Sequence, residues 1–318
     1  MWSAFSGNGL FVFSDPAGAK ACLALNEILA KENVEGERVL LSNRNYPFYK
    51  QFSSKVELID DGVAEEVSKK IEKPSWIFAG TSHLDSSKGF ELIFLKNIKT
   101  TSYAIIDHWT DFKLRFELNG GLVLPDTIFV LDNRAEALAI ADGLPKERIK
   151  ITENPYLLYL KKYPGPTIDK TAFCKKLDIP EGKKIVLYAP DPVSLRSRSH
   201  KNELTVLEEL LELVKGHHTL LLKLHPLQPS EKISALIEKK NNVRIISDDE
   251  LMPVDVFSNV DCIVGFYSNY LLEAATVSRN IISYKLDSGA EEHVRHVLKC
   301  TVVSNKNELN LALKQISG

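Results

Sequence analysis

Several residue types that would mark particular chemistries are scarce in this sequence. Its 318 residues include only four cysteines, at positions 22, 174, 262 and 300, and no Cys-x-x-Cys pair. That scatter excludes a zinc ribbon or a disulfide-stapled scaffold and reads as buried thiols in a reducing compartment. Charge of one sign is not in excess: 40 Lys and Arg stand against 42 Asp and Glu, a net charge of −2. A broadly basic nucleic-acid-binding surface is thereby excluded, although a local basic patch for a phosphorylated ligand is not. No window approaches the roughly 18 apolar residues of a membrane-spanning helix. The start, Met1 to Gly7, lacks the basic and apolar regions of a signal peptide. These absences predict a cytoplasmic protein, with peripheral contact at the inner face of a membrane left open. Neither Gly-x-Gly-x-x-Gly nor Asp-x-Asp occurs, so no dinucleotide cofactor and no metal-held nucleotide is predicted.

What is present is an ordinary globular composition, 44% hydrophobic and 26% charged, in a chain long enough for two domains. The sequence is organised around residues 219–226, Thr-Leu-Leu-Leu-Lys-Leu-His-Pro. A continuous apolar run of this length reads as a strand buried on both faces of a parallel sheet. Proline ends it, because it has no N–H for the ladder. His225 is then expected at the carboxyl end of a central strand, where open α/β sheets bind ligands. Strand and helix patterns alternate before and after it. Residues 153–168 hold three prolines beside Gly165 and read as a linker. The predicted architecture is α/β: a Rossmann-like domain over 1–153, a linker over 154–168 and a second Rossmann-like domain over 169–318, with a cleft between them.

Strand ends supply the candidate site residues. Lys223 and His225 point the same way from one strand, because side chains alternate, and two cations there suit a phosphate; the plain alternative is a solvated lysine and a capping histidine. Tyr267, Ser268 and Asn269 follow the buried strand 261–264 and precede a helix, so a hydroxyl or an amide there caps the helix, contacts an anion, or does both. Glu273, about a turn later, is placed to reach a sugar hydroxyl. The loop after strand 184–187 carries Arg196, Arg198, His200 and Lys201 and reads as a phosphate or acidic-sugar clamp or as a solvated loop. In the first half, strand 76–79 ends in Gly80, Thr81 and Ser82, and strand 102–106 ends in Asp107 and His108. A carboxylate there is placed to act as general base or nucleophile, or to cap a turn. Glu91 reads as a second acidic candidate or a solvated helix residue. Asp60 and Asp61 precede Gly62 and either serve catalysis or start a helix, where acidic side chains suit the dipole. Asn154 lies at the hinge.

Two tandem Rossmann-like domains with a central linker resemble the GT-B fold of glycosyltransferases. The run Lys223, Leu224, His225, Pro226 resembles the His-Pro motif of bacterial sialyl-, polysialyl- and Kdo transferases. Tyr267, Ser268 and Asn269 resemble their serine motif. The resemblance implies that His225 and the Ser268 hydroxyl contact the phosphate of a CMP-activated sugar. The same His-Pro element resembles CDP-glycerol glycerophosphotransferases. Gly80, Thr81 and Ser82 with Asp107, His108, Trp109, Arg115 and Phe116 resemble bacterial polysaccharide-biosynthesis proteins near the retaining β-Kdo transferases. That implies a catalytic carboxylate at Asp107, with Glu91 second. Asp60, Asp61 and Gly62 match the acidic-acidic-Gly motif holding the sialyltransferase base, so the acidic candidates compete. The function implied is metal-independent transfer of a sugar, Kdo or another CMP-activated acidic sugar, to a glycan or glycolipid acceptor in surface-polysaccharide synthesis. The rivals are a CDP-alditol phosphotransferase, a nucleotide-sugar 2-epimerase and a non-catalytic nucleotide-binding or assembly module.

Overall fold

The computed structural model describes residues 2–82, 87–163, 165–195, 201–216, 218–224, 230–247, 250–278, 280–286 and 293–317. The chain forms two compact units, Met1–Lys162 and Tyr163–Gly318.

The first unit begins with strand β1 (Gly9–Phe13) and helix α1 (Pro16–Lys31). All five β1 residues are buried. Asp15 starts α1 from the N-cap, its carboxylate accepting the Gly18 N–H at 2.7 Å with Pro16 behind it. This pairing suits a helix start, because proline gives up no needed donor there. The chain continues through β2 (Arg38–Ser42), β3 (Glu57–Leu58), α2 (Ala64–Lys70), β4 (Trp76–Gly80), α3 (Phe90–Asn97) and β5 (Thr101–Ile105). A two-stranded antiparallel ribbon, β6 (Glu117–Leu118) with β7 (Gly121–Leu122), precedes β8 (Thr127–Val130), α4 (Asn133–Ala141), β9 (Ile149–Ile151) and α5 (Pro155–Lys162). Seven strands pair in the order β3-β2-β1-β4-β5-β8-β9, all parallel. The order reverses between β1 and β4. Gly18 and Gly80 hold that junction tight: a Cβ on Gly80 would lie 2.7 Å from the Gly18 Cα.

Residues 155–162, expected within the linker, form α5 instead. Pro155 occupies the first helical position, and the Asn154 side chain accepts the Tyr156 N–H at 2.9 Å. A proline read as a breaker is here an initiator. Tyr156, Tyr159 and Leu160 are buried, and the Tyr159 ring lies 5.6 Å from that of Phe52.

The second unit runs through α6 (Lys170–Lys176), β10 (Lys184–Ala189), α7 (Glu203–Leu213), β11 (His218–Lys223), α8 (Ser230–Ile237), β12 (Val243–Ile246), α9 (Pro253–Asn259), β13 (Cys262–Gly265), α10 (Asn269–Ala275), β14 (Ile281–Tyr284), α11 (His293–Val297), β15 (Thr301–Val303) and α12 (Lys306–Ser317). Its six strands are parallel in the order β12-β11-β10-β13-β14-β15. The expected strand at 219–226 is β11, and Thr219 to Leu222 are buried. It is not the pivot of its sheet, however: the order reverses at β10, and β11 stands second from an edge. Buried Asp255 fastens the start of this unit, accepting the Thr167 N–H at 2.6 Å and the Thr167 hydroxyl at 2.7 Å.

Candidate functional site

A cluster of acidic side chains gathers where β1, β4 and β5 end. Asp15 follows β1, Ser82 follows β4 and Asp107 follows β5. Glu91 lies in the first turn of α3. Ser82, Glu91, Asp107 and Arg115 are all buried. The Asp15 backbone N–H donates to the Ser82 hydroxyl at 3.0 Å, and that hydroxyl donates to Glu91 Oε1 at 2.5 Å. Arg115 donates through Nη1 to the Thr81 carbonyl at 3.1 Å, while its buried Nε–H has no partner among the described residues. Thr81 is itself fixed, its hydroxyl donating to the Ile105 carbonyl at 2.8 Å.

This environment moves two carboxyl groups towards neutrality. Burial pushes Glu91 up to about 8, against the Ser82 hydrogen bond that favours its ionised form. Burial and then the Asp107 charge push Asp15 up to about 6, while the Gly18 N–H and Arg115 pull the other way. A carboxyl largely protonated at neutral pH thus lies beside one that is largely ionised. Acid–base chemistry uses groups separated in this way.

The other acidic candidates fall outside the cluster. Asp60 is exposed, and its carboxylate accepts the Gly62 N–H at 2.8 Å, capping the short turn 61–63. Asp61 accepts from Asn43 at 2.6 Å and pairs with Lys88 at 3.3 Å and Arg44 at 3.6 Å. The Asn43 hydrogen bond is the leading cause holding its carboxyl below the usual range, which suits a fixed anion better than a base. His108 lies within hydrogen-bonding distance of the Thr110 hydroxyl, at 3.1 Å. Asn154 caps α5 as described. Trp109 donates its indole N–H to Asp132 at 3.0 Å, bracing the loop that carries Asp107.

In the second unit, Lys223 ends β11 and stands 5.0 Å from the Tyr270 ring centre in α10. Ser268 occupies the N-cap position of α10, yet its hydroxyl makes no cap hydrogen bond and is buried without a partner among the described residues. Asn269 opens the helix, and Glu273 is buried in it. Tyr267 donates its backbone N–H to Asp191 at 3.4 Å, bringing the ends of β10 and β13 together. Lys223 thus stands at the carboxyl end of β11, and Tyr267, Ser268, Asn269 and Glu273 follow the carboxyl end of β13. Lys201 is engaged elsewhere: it donates to the Ser304 carbonyl at 2.7 Å and lies 4.7 Å from the Tyr284 ring centre. That predicted phosphate contact serves packing in this structure. His225, Pro226, Arg196 and Arg198 lie outside the described residues.

Sequence reasoning passed over Asp15 as a site residue and gave Arg115 no role of its own. Asp15 was hidden by its double use, since an Asp before Pro-Ala-Gly reads first as a helix cap. Its available signal was position, one residue beyond the buried strand 10–13 and its terminal Ser14. Arg115 had the weaker signal of a lone cation beside Phe116.

The family model for CDP-glycerol:poly(glycerophosphate) glycerophosphotransferase matches residues 165–316. No curated protein matches the chain. Among solved structures, the UDP-GlcNAc 2-epimerase of Methanocaldococcus jannaschii superposes with a TM-score of 0.68 at 14% identity, over 97% of this chain and 92% of that one. A putative UDP-N-acetylglucosamine 2-epimerase from Listeria monocytogenes gives 0.71 at 14% identity, over 98% and 87%. An Anabaena protein solved with UDP-glucose gives 0.62 at 13% identity, over 96% and 89%. The whole chain thus has the GT-B-like α/β fold of these proteins, and its second unit is similar in sequence to the glycerophosphotransferase family.

Proposed function

We propose that this chain is a metal-independent transferase of surface-polysaccharide synthesis that moves a sugar from a CMP-activated donor to a hydroxyl of a glycan or glycolipid acceptor. The reading rests above all on the cluster of half-buried Asp15 with buried Glu91 and Asp107 around Ser82 and Arg115. Transfer to a hydroxyl needs a group that removes its proton as the new bond forms. Asp107 takes that role in this reading. Glu91 and Asp15 set the charge and proton content around it. The second unit takes the nucleotide, through Lys223, Ser268, Asn269 and Glu273 with His225, Pro226, Arg196 and Arg198. Its similarity to a family named for a CDP-linked donor supports cytidine as the base. The donor phosphate is neutralised by cationic side chains and preorganised donors.

The same family match favours a second reading, transfer of glycerol phosphate from CDP-glycerol. Both reactions release CMP. The deciding assay follows CMP release from CMP-Kdo and from CDP-glycerol with a polysaccharide acceptor present, beside UDP-GlcNAc without acceptor. Acceptor-dependent CMP release from CMP-Kdo, lost in Asp107→Asn, supports the sugar-transfer reading. Release from CDP-glycerol alone selects the second reading. Conversion of UDP-GlcNAc to its 2-epimer without acceptor overturns both.

A further inference from the structure

A cavity of about 260 Å3 opens on the sheet face of the first unit and shares no residue with the carboxylate cluster. Its floor is built by register. Phe78 of β4 pairs with Tyr103 of β5, Tyr103 with Thr127 of β8, and Phe129 of β8 with Lys150 of β9, so these side chains share one face. The Tyr103 and Phe129 rings stack at 5.9 Å with 10° between their planes, and Phe78 lies 6.2 Å from Phe129 at 23°. Phe5 closes one side, 4.9 Å from Tyr103. Tyr103 and Phe129 are only half-buried, so the stack presents open aromatic surface to the cavity. Lys150 lines the cavity and is exposed, and no acidic group pairs with it among the described residues.

We propose that this cavity binds a single-chain amphiphilic anion: an alkyl or prenyl chain on the aromatic floor, with its phosphate on Lys150. Three features select this ligand over others. An apolar cavity of about 150 Å3 already takes up benzene, so this one accommodates a chain of roughly eight carbons. A predominantly apolar lining with a few polar groups, here Tyr103, Thr127, Lys150 and Thr152, is the usual build of a small-molecule site. The unpaired cation at the rim fixes the sign of the head group. The site does not depend on which transfer reaction the chain performs.

Calorimetric titration of the full chain with n-octyl phosphate below its micelle concentration tests the proposal. Saturable binding at one site is expected, about tenfold weaker in Lys150→Glu and in Phe129→Asp. Thr152→Trp gives a further variant. Thr152 lines the same cavity, follows Lys150 by two residues on the same face and is partly exposed, so a larger ring there obstructs the rim without entering the core. It is expected to weaken binding while leaving the circular dichroism spectrum and the melting temperature unchanged. Equal affinity for inorganic phosphate, or for n-octyltrimethylammonium, overturns the assignment. So does the absence of saturable binding. Sedimentation with phosphatidylglycerol vesicles, dependent on Lys150 but without octyl phosphate binding, replaces the cavity with a membrane-facing surface.

Discussion

Glu91 holds a carboxyl where charge is costly. Its proton affinity is about 8 in the folded chain against an ordinary 4.5. The folded state therefore binds a proton that the unfolded state has released, and stability falls as pH rises. This contribution is complete below pH 4.5 and is lost as pH climbs through about 8. Asp15 acts in the same direction between 3.8 and about 6. Urea unfolding between pH 5 and 8 is expected to show stability declining by up to about 1.4 kcal/mol per pH unit from Glu91. Glu91→Gln keeps an acceptor for the Ser82 hydroxyl and flattens that slope; an unchanged slope in the variant refutes the assignment. Asp107 makes a different prediction. Asp107→Asn is expected to lower turnover by about 10²–10⁴-fold, the usual span for a lost general base. The melting-temperature rise produced by CMP should persist, since the nucleotide is assigned to the other unit. Loss of both together would make Asp107 a folding residue.

At the scale of elements, the backbone contact between α1 and β4 is a close constraint on the site. A Cβ on Gly80 would lie 2.7–2.9 Å from Gly18 backbone atoms, which cannot swing aside as a side chain can. Gly80→Ala is expected to cost at least about 2 kcal/mol in urea unfolding and to weaken turnover, because α1 carries Asp15. Asp255→Ala strands the Thr167 N–H and hydroxyl and the Ile168 N–H, a cost of about 2–4 kcal/mol by the same measurement. The strands were legible in the sequence because buried parallel strands are continuous apolar runs: 10–13, 76–79 and 219–222 need no partner to be recognised. Helix α5 was not. Three prolines and a glycine outweighed the pattern of Tyr156, Tyr159 and Leu160, whose spacing is helical and whose burial depends on packing in the unit. Helix α9 was missed for a related reason, since Pro253 at its start reads as loop. Sheet order was out of reach, and so the strand at 219–226 was expected to be central, whereas β11 stands second from an edge and the order reverses beside β10.

For the whole molecule, the two sheets repeat one plan: each has a first strand flanked by the second on one side and the fourth on the other. The plan was readable from β-α alternation, and with it the expectation that ligand chemistry gathers at strand ends. The identities were less readable. Asp107, Thr81 and Ser82 were proposed from position at strand ends, whereas the link from Ser82 to Glu91 spans nine residues and depends on how α3 packs. If the second unit holds a cytidine nucleotide, CMP at a hundredfold excess over its dissociation constant adds about 2.7 kcal/mol to stability. A thermal-shift series with CMP, CDP, UMP, UDP and GDP reads this directly. A response to UDP alone returns the chain to the epimerase reading.

The pairing of β1 with β4 also governs the chain while it is being made. Gly9 and its neighbour Trp76 stand 67 residues apart. At about 5–20 residues per second, a ribosome delivers the second roughly 3–13 s after the first. For those seconds the segment Gly-Leu-Phe-Val-Phe has at most one of its two partners and no glycine contact to seat α1. The centre of the first unit thus stays unfinished until β4 has been made, and an apolar five-residue segment waits in the open as a natural substrate for chaperones acting on the nascent chain.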